Sequence, residues 1–313
     1  MIRTEWVLEL PVDLPDEVAR TTETTRCAYP DTRTLIACRG DAVAAVWVLP
    51  ISVDATGTHA CRTARVLPYA APVLLDGHPQ RRRDVMVALL DAVRNACISL
   101  DLPMAPDFRD VTACRQLGMA VEWRHTHVLD LRASWRTGYS ATVRQHLRVA
   151  RAAVEVRLDE VGRFRFDLAL VGQTAEQVAL RERFARWAAV RGAVTCLTAA
   201  GPDTVGQHLI LREAGTGVLL HSWFDRAGPR GVPTLLVDTA AETLSRLGCE
   251  QLDLEGSVVP TVDYFMSGFG GAAVPYPYVY WHRDTDALAK MLVDGITGGT
   301  EPRERTMMMR TGT

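Results

Sequence analysis

A chain of 313 residues, 48% hydrophobic and 23% charged, has ample material for a buried core, and its length suits two modest domains better than one. A net charge of −2 excludes a broadly basic nucleic-acid coat but leaves room for a local patch. There is no apolar run of the roughly 18 residues a membrane span needs, and the N-terminal MIRTEWVLELPVDLPDE carries acids where a signal peptide requires apolar residues, so a cytoplasmic protein with no membrane partner is expected.

In chain order, Leu14–Thr25 reads as a helix, followed by strand-like runs Arg33–Arg39 and Ala42–Val53 joined at Gly40-Asp41. A third apolar run, Arg65–Leu75, is interrupted by Pro68 and Pro72. Pro79–Leu100 reads as a helix because Val85, Leu89, Val93 and Ala96 recur on one face. Phe108–Leu117 forms a shorter helix that Gly118 stops, and Ala120–Leu131 is a strand. The second half repeats this order. Ser140 is a good N-cap for a helix to Val154, and another helix covers Ala175–Val190. Strands Gln207–Glu213 and Gly217–Asp225 lead through a Gly/Pro loop, Ala227–Pro233, into a helix ending near Leu247. Strand Glu250–Glu255, a short helix Val262–Gly268 and strand Val274–His282 complete the set. Two mixed α/β halves are therefore expected, residues 1–130 and 131–295, each a central mixed sheet flanked by helices. Residues 296–313 are poor in core-forming side chains and read as a disordered tail.

The seven cysteines are scattered, with no Cys-x-x-Cys, so neither a zinc knuckle nor a redox pair is indicated and buried thiols are expected. Lys290, the only lysine, lies in a helix-like C-terminal segment, which argues against Schiff-base chemistry. There is no Walker loop, and Ser257 lacks the Gly-x-Ser-x-Gly elbow.

The most informative stretch is Gln251–Gly271, QLDLEGSVVPTVDYFMSGFGG. Alternation in a strand puts Asp253 and Glu255 on one face, and Gly256-Ser257 ends the strand. Pro260 then opens a helix bearing Tyr264, Phe265 and Phe269. Carboxylates at the end of a strand lie where α/β sheets hold ligands, although the same pair could simply face solvent or hold the turn.

The pattern D-x-E-G-S-x-x-P-x-x-x-x-F-x-x-x-F-G resembles the C-terminal signature of FemABX-like enzymes, relatives of GNAT acyltransferases, and a second similar block lies at Thr126–Arg151. The resemblance implies two tandem GNAT-like domains, with the site in the C-terminal one. It also implies transfer of an aminoacyl group from charged tRNA to an amine, with no bound cofactor. Cell-wall members of that family are expected to carry Phe-Lys-x-x-Phe-Gly, whereas this chain has Phe265-Met266-Ser267-Gly268-Phe269-Gly270. The missing lysine points away from a nucleotide-linked cell-wall acceptor and towards a smaller peptide-like one. In this the chain is similar to alanyl transferases of uridyl-peptide antibiotic biosynthesis. Acyl-CoA as donor, or a non-catalytic tRNA- or peptide-binding module, are the alternatives.

Arg144, Arg148 and Arg151, at i, i+4 and i+7, share a helix face and could hold donor phosphates, or form a solvated face. Arg230, in Arg230-Gly231-Val232-Pro233 at the start of a helix, is a further phosphate candidate, better placed than Arg115–Ala120, whose acyl-CoA-like pattern ends a helix instead. His221 and Trp223 share a strand face, and in a GNAT fold that strand splays from the Asp253–Glu255 strand around the acyl group. Glu255 or His221 could accept the amine proton. Tyr69, Asp107 and Arg109 are candidates for an acceptor platform in the N-terminal half. His125-x-His127 places two imidazoles on one strand face, but no third ligand is evident, so no metal site is expected.

Overall fold

The computed structural model describes residues 2–11, 14–29, 31–53, 59–62, 66–170, 173–213, 215–256 and 259–296, without the side chains of 17 and 293–296. Contacts divide them into two units, one made of residues up to Arg124 and from Pro275 onward, the other of His125–Val274. Of the tail expected at 296–313, Ile296 ends the last helix and 297–313 lie outside the described residues.

The first unit runs β1 (Ile2–Val7), α1 (Asp16–Ala28), β2 (Thr32–Arg39), β3 (Ala42–Val53), β4 (His59–Arg62), β5 (Val73–Leu74), α2 (Pro79–Ala96), β6 (Ser99–Pro103), α3 (Thr112–Gln116) and the start of β7 (Ala120–Asp130). Strands β1 to β4 pair antiparallel in order, and β6 then lies parallel to β4. The expected helix to Leu100 ends at Ala96: Cys97 turns to extended backbone (φ −116°, ψ 160°), and the alternating Ser99–Leu102 continues as a buried strand. Around α2, Val85, Leu89, Leu90 and Val93 pack with Trp47, Leu100 and Leu102. The Trp47 indole N–H donates to the Ala70 carbonyl (2.8 Å), so a large ring is buried without an orphaned donor.

The second unit takes β7 from His125, then α4 (Ala141–Ala153), β8 (Glu155–Asp159), α5 (Phe166–Ala169), α6 (Ala175–Val190), β9 (Val194–Ala200), β10 (Thr204–Glu213), β11 (Thr216–Phe224), α7 (Val232–Arg246), β12 (Gln251–Asp253), α8 (Pro260–Ser267) and the start of β13 (Ala272–His282). α9 (Thr285–Ile296) ends the described chain. β8 to β11 pair antiparallel in order and β12 lies parallel to β11. The order of the first unit thus recurs: an antiparallel meander, a helix, a parallel strand and a short helix. The strand after each short helix is shared out by its pairing. β7 pairs β12 within the second unit through Val128–Asp130, and β13 pairs β6 within the first through Tyr278–His282. Contacts thus set the limits of the units inside β7 and β13, whereas the sequence suggested borders at 130 and 295.

Ser140 caps α4 as expected, its hydroxyl accepting from the Val143 N–H (3.2 Å). α4 and α7 bury Val143, Leu147, Leu235, Leu236, Ala240 and Leu244 against Leu129, Leu252 and Ile210 of the sheet. Among the described residues no helix is long and apolar enough to cross a membrane. None of the seven cysteines is in a disulfide, and all but Cys27 are buried.

His208 on β10 is 2% exposed, and burial pushes its imidazole pKa down to about 3. The native state therefore holds it neutral while the unfolded chain protonates it below its ordinary pKa of about 6.5. Its contribution to stability is intact above that value and is lost as pH falls from 6.5 towards 3. Urea unfolding at pH 7 and pH 5 should accordingly show a smaller acid loss in His208→Leu than in the parent, by about 1–2 kcal/mol. Equal losses in the two proteins would mean that His208 is hydrated in the native state.

Candidate active site

β11 and β12 pair through only three positions, Thr216↔Gln251, Gly217↔Leu252 and Val218↔Asp253. β11 continues to Phe224, and its register with β10 skips Leu220, a bulge that bends the strand just past the last pair. β12 stops at Asp253 instead of running to Glu255. Beyond that point β11 and β12 no longer pair: the Leu254 N–H donates to the His127 carbonyl on β7 (2.9 Å), and the chain of β12 turns away from β11.

The two carboxylates expected on one strand face diverge here. Asp253 is 4% exposed, and its Oδ1 accepts from the Thr126 hydroxyl and from the Glu255 N–H (2.8 Å). Glu255 takes left-handed backbone (φ 58°), an uncommon conformation for a non-glycine residue, and its side chain is half-buried. Gly256 follows because its backbone lies against β7: a Cβ there would sit 1.8 Å from the His125 carbonyl oxygen. Ser257 lies outside the described residues.

The aromatic residues of α8 and of the turn after it divide by burial. Phe269 is fully buried between Tyr139 (centroids 5.4 Å) and Phe265 (5.3 Å), so it packs the core and lines no surface. Phe265 is half-buried beside it, while Tyr264 is 76% exposed. On β11, Trp223 is also a packed residue: its indole N–H donates to Gln207 Oε1 (2.8 Å), and Gln207 Nε2 donates to the Thr198 hydroxyl (2.9 Å). His221, half-buried on the same strand face, sets its ring edge-to-face on Phe166 (6.3 Å).

The arginine stripe on α4 is not uniform. Arg151 Nη2 donates to Asp238 Oδ2 (2.7 Å), and Asp238 is 1% exposed. Arg136 Nε (2.8 Å) and the Tyr139 hydroxyl (3.0 Å) complete the cage around Asp238, so Arg151 neutralises a buried carboxylate instead of offering a spare fork. Arg144 donates to the Tyr139 carbonyl, and Arg148 has no hydrogen-bond partner among the described residues. Arg230 Nε donates to His146 Nε2 (3.1 Å) at the start of α7, where burial, reinforced by Arg230, holds the His146 pKa below its ordinary value. Gly231, with φ 88°, is required there because a Cβ would meet the His146 carbonyl at 2.5 Å. α4 and the start of α7 therefore meet backbone to side chain with Arg144, Arg148 and Arg230 facing outward.

Tyr69, Asp107 and Arg109 belong to the first unit. Asp107 and Arg109 are exposed, and Tyr69 packs edge-to-face on Tyr276 (5.3 Å). The two imidazoles of His125-x-His127 share a partner that their local spacing did not suggest. Asp263 Oδ1 lies 2.8 Å from Nε2 of both imidazoles. A separation of 136 residues from His127 hid that partner from a reading of local spacing.

No protein-family model and no curated protein matches the chain. Among solved structures, the fold is similar to the C-terminal domain (DUF2156) of a putative lysylphosphatidylglycerol synthetase from Agrobacterium fabrum, at 14% identity and TM-score 0.57 over 91% of this chain and 98% of that one. It is similar also to FemX, at 10% identity and TM-score 0.59 over 84% and 91%. A tandem GNAT protein from the clavulanic acid biosynthesis pathway gives 13% identity and TM-score 0.56 over 91% and 99%. At these identities the likeness establishes the fold alone: a mixed α/β, tandem GNAT-like fold.

The burial contrast within the aromatic helix is testable by chemical denaturation. Phe269→Ala should cost about 3–5 kcal/mol, whereas Tyr264→Ala should change stability by no more than about 0.5 kcal/mol. Similar costs at both positions would refute the division drawn between a core ring and a surface ring.

Proposed function

We propose that this chain is an aminoacyl-tRNA-dependent aminoacyl transferase that forms an amide on the amine of a small peptide or peptide-like acceptor. The observation that carries the reading is the wedge where β11 and β12 stop pairing after Val218 and Asp253. In this reading an acyl group enters where β11, past Val218, has no β12 partner, and backbone N–H groups on that edge of β11 polarise its carbonyl as charge develops on the oxygen. The donor's ester is already activated, so holding it against the acceptor amine supplies much of the rate.

In this reading Glu255, turned out of β12, or His221, on β11, accepts the proton that the acceptor's ammonium must lose before its neutral amine attacks the ester carbonyl. The amide C–N bond forms as the ester C–O bond breaks, and the tRNA leaves as its terminal ribose hydroxyl, taking up the proton that the amine gives up. Exposed Tyr264 and half-buried Phe265 flank the acceptor. Asp253 holds the turn that presents Glu255. Arg144, Arg148 and Arg230 take phosphates of the donor.

A second reading, an acyl-CoA donor, is favoured by the fold itself. The start of α7 speaks against it. Pro229 and Pro233 have no N–H, so the loop and first turn lack two of the backbone donors with which a helix start cradles a pyrophosphate. Guanidinium groups in their place suit a polyanion spread over a longer surface. A transfer step in peptide antibiotic or other natural-product biosynthesis is the setting we infer, from the methionine at 266 where cell-wall enzymes of the resembling family are expected to have lysine.

Purified protein would be given pooled amines and peptides with either charged total tRNA or mixed acyl-CoAs, and products read by mass spectrometry. Product that needs charged tRNA and disappears after ribonuclease treatment is expected. Product only with acyl-CoA would overturn the tRNA reading. With the donor known, Glu255→Gln should lower kcat by roughly 100-fold if it is the base, and an unchanged kcat would transfer that role to His221.

A further inference from the structure

We propose that His125, His127 and Asp263 form a binding site for one divalent transition-metal ion of the zinc class. The site is separate from the amide-forming roles assigned above. The donor atoms of the three side chains all lie within 4.8 Å of one another, and Asp263 Oδ1 is 2.8 Å from Nε2 of each imidazole. The rings stand edge-to-face, with centroids 5.3 Å apart and planes at 86°, so that both Nε2 atoms converge on one oxygen.

The frame around them is built before any ligand arrives. His127 is 5% exposed on β7, where Val128 pairs with Asp253, and Gly256 lies against the His125 carbonyl. His127 Nδ1 is buried with no partner among the described residues, so the polar interactions of that ring are made through Nε2, the atom aimed at the cluster. Asp263 sits in the first turn of α8, whose Phe265 packs on the core.

Tetrahedral coordination with bonds of about 2.0–2.1 Å separates donors by about 3.3 Å. Closing on an ion therefore asks for side-chain rotation, which the buried His127 need not supply. His125 (45% exposed) and Asp263 (33%) both face solvent and can turn. Two imidazoles with one carboxylate suit zinc and its neighbours and disfavour magnesium and calcium, which prefer oxygen ligands. Three protein ligands leave a coordination position open.

The test uses the full chain stripped of metal and dialysed against Zn²⁺, with content read by mass spectrometry. About one Zn²⁺ per chain is expected, with a Tm raised by several degrees at saturation and no response to Mg²⁺. Co²⁺ in its place should give visible d–d absorption. His125→Ala and Asp263→Asn, both at solvent-facing positions, should abolish the stoichiometric ion and the Tm response while their metal-free circular dichroism matches the parent. A parent that retains no ion would overturn the proposal and leave a hydrogen-bonded His–Asp–His cluster. So would zinc binding that persists undiminished in both variants, since the ion would then sit elsewhere, at a thiol such as half-buried Cys27. Neither result depends on the donor, so the site and the transferase reading stand or fall separately.

Discussion

The buried carboxylate of Asp253 is the constraint on which the candidate site depends. A carboxylate at 4% exposure must have its lone pairs met, and the groups that meet them come from two directions: the Thr126 hydroxyl from β7 and the Glu255 amide from its own chain. The first bond ties β12 to the strand beside it. The second curls the backbone after Asp253 back on itself, forcing Glu255 to left-handed φ and Gly256 against His125. A strand of three residues thereby becomes a fixed end point, from which β11 diverges on one side and α8 departs on the other. Removing the carboxylate would release the turn, the wedge and the approach of α8 to β7 together.

Asp238 has a comparable role in the helical layer. Its carboxylate, 1% exposed, gathers Arg136, Arg151 and Tyr139 onto α7. Taking one partner from such a buried cluster leaves an uncompensated charge and is far costlier than losing a surface pair. This is why a helical stripe of arginines is a poor guide by itself. One face of α4 contains an arginine committed to the interior at 151, one folded onto a carbonyl at 144 and one facing solvent at 148. Identical spacing carries three different jobs because the partner of each is set by the fold and not by the spacing.

Local signals are legible in the sequence where the element's own residues decide it. Ser140 capping α4, the limits of α6 and the hairpin β2–β3 all follow from caps and periodicity. Strands β1, β4, β8 and β9 escape such a reading. β9, Val-Thr-Cys-Leu-Thr-Ala-Ala, is buried almost throughout and so shows no alternation, while β8 is a short, charged, mostly exposed run. β6 reads as a continuation of the helix before it, because Leu100 extends the apolar spacing that Cys97 in fact breaks. In the site, the Asp-x-Glu-Gly signature locates the turn, yet alternation misjudges it: a two-residue period holds only while the strand lasts, and this one ends at Asp253. Asp263 is unreadable as a partner of two histidines because only the folded path of α8 brings it to β7.

Sorted by exposure, the candidate residues leave a small and unevenly charged set at the surface. Asp253, Phe269, Trp223 and Arg151 are occupied in holding the unit together. Glu255, His221, Tyr264, Arg144, Arg148, Arg230 and the His125–Asp263 pair keep exposed or half-exposed side chains. The arginines among them gather on α4 and the start of α7, while the net charge of the whole chain is −2. Attraction for a polyanion must then be local, acting over about a Debye length of roughly 8–10 Å, and cannot come from the protein's overall field. Under the transferase reading proposed above, a surface of that kind would orient the end of a long phosphate-bearing donor without gripping its whole length, and so would let the donor leave once its acyl group has gone.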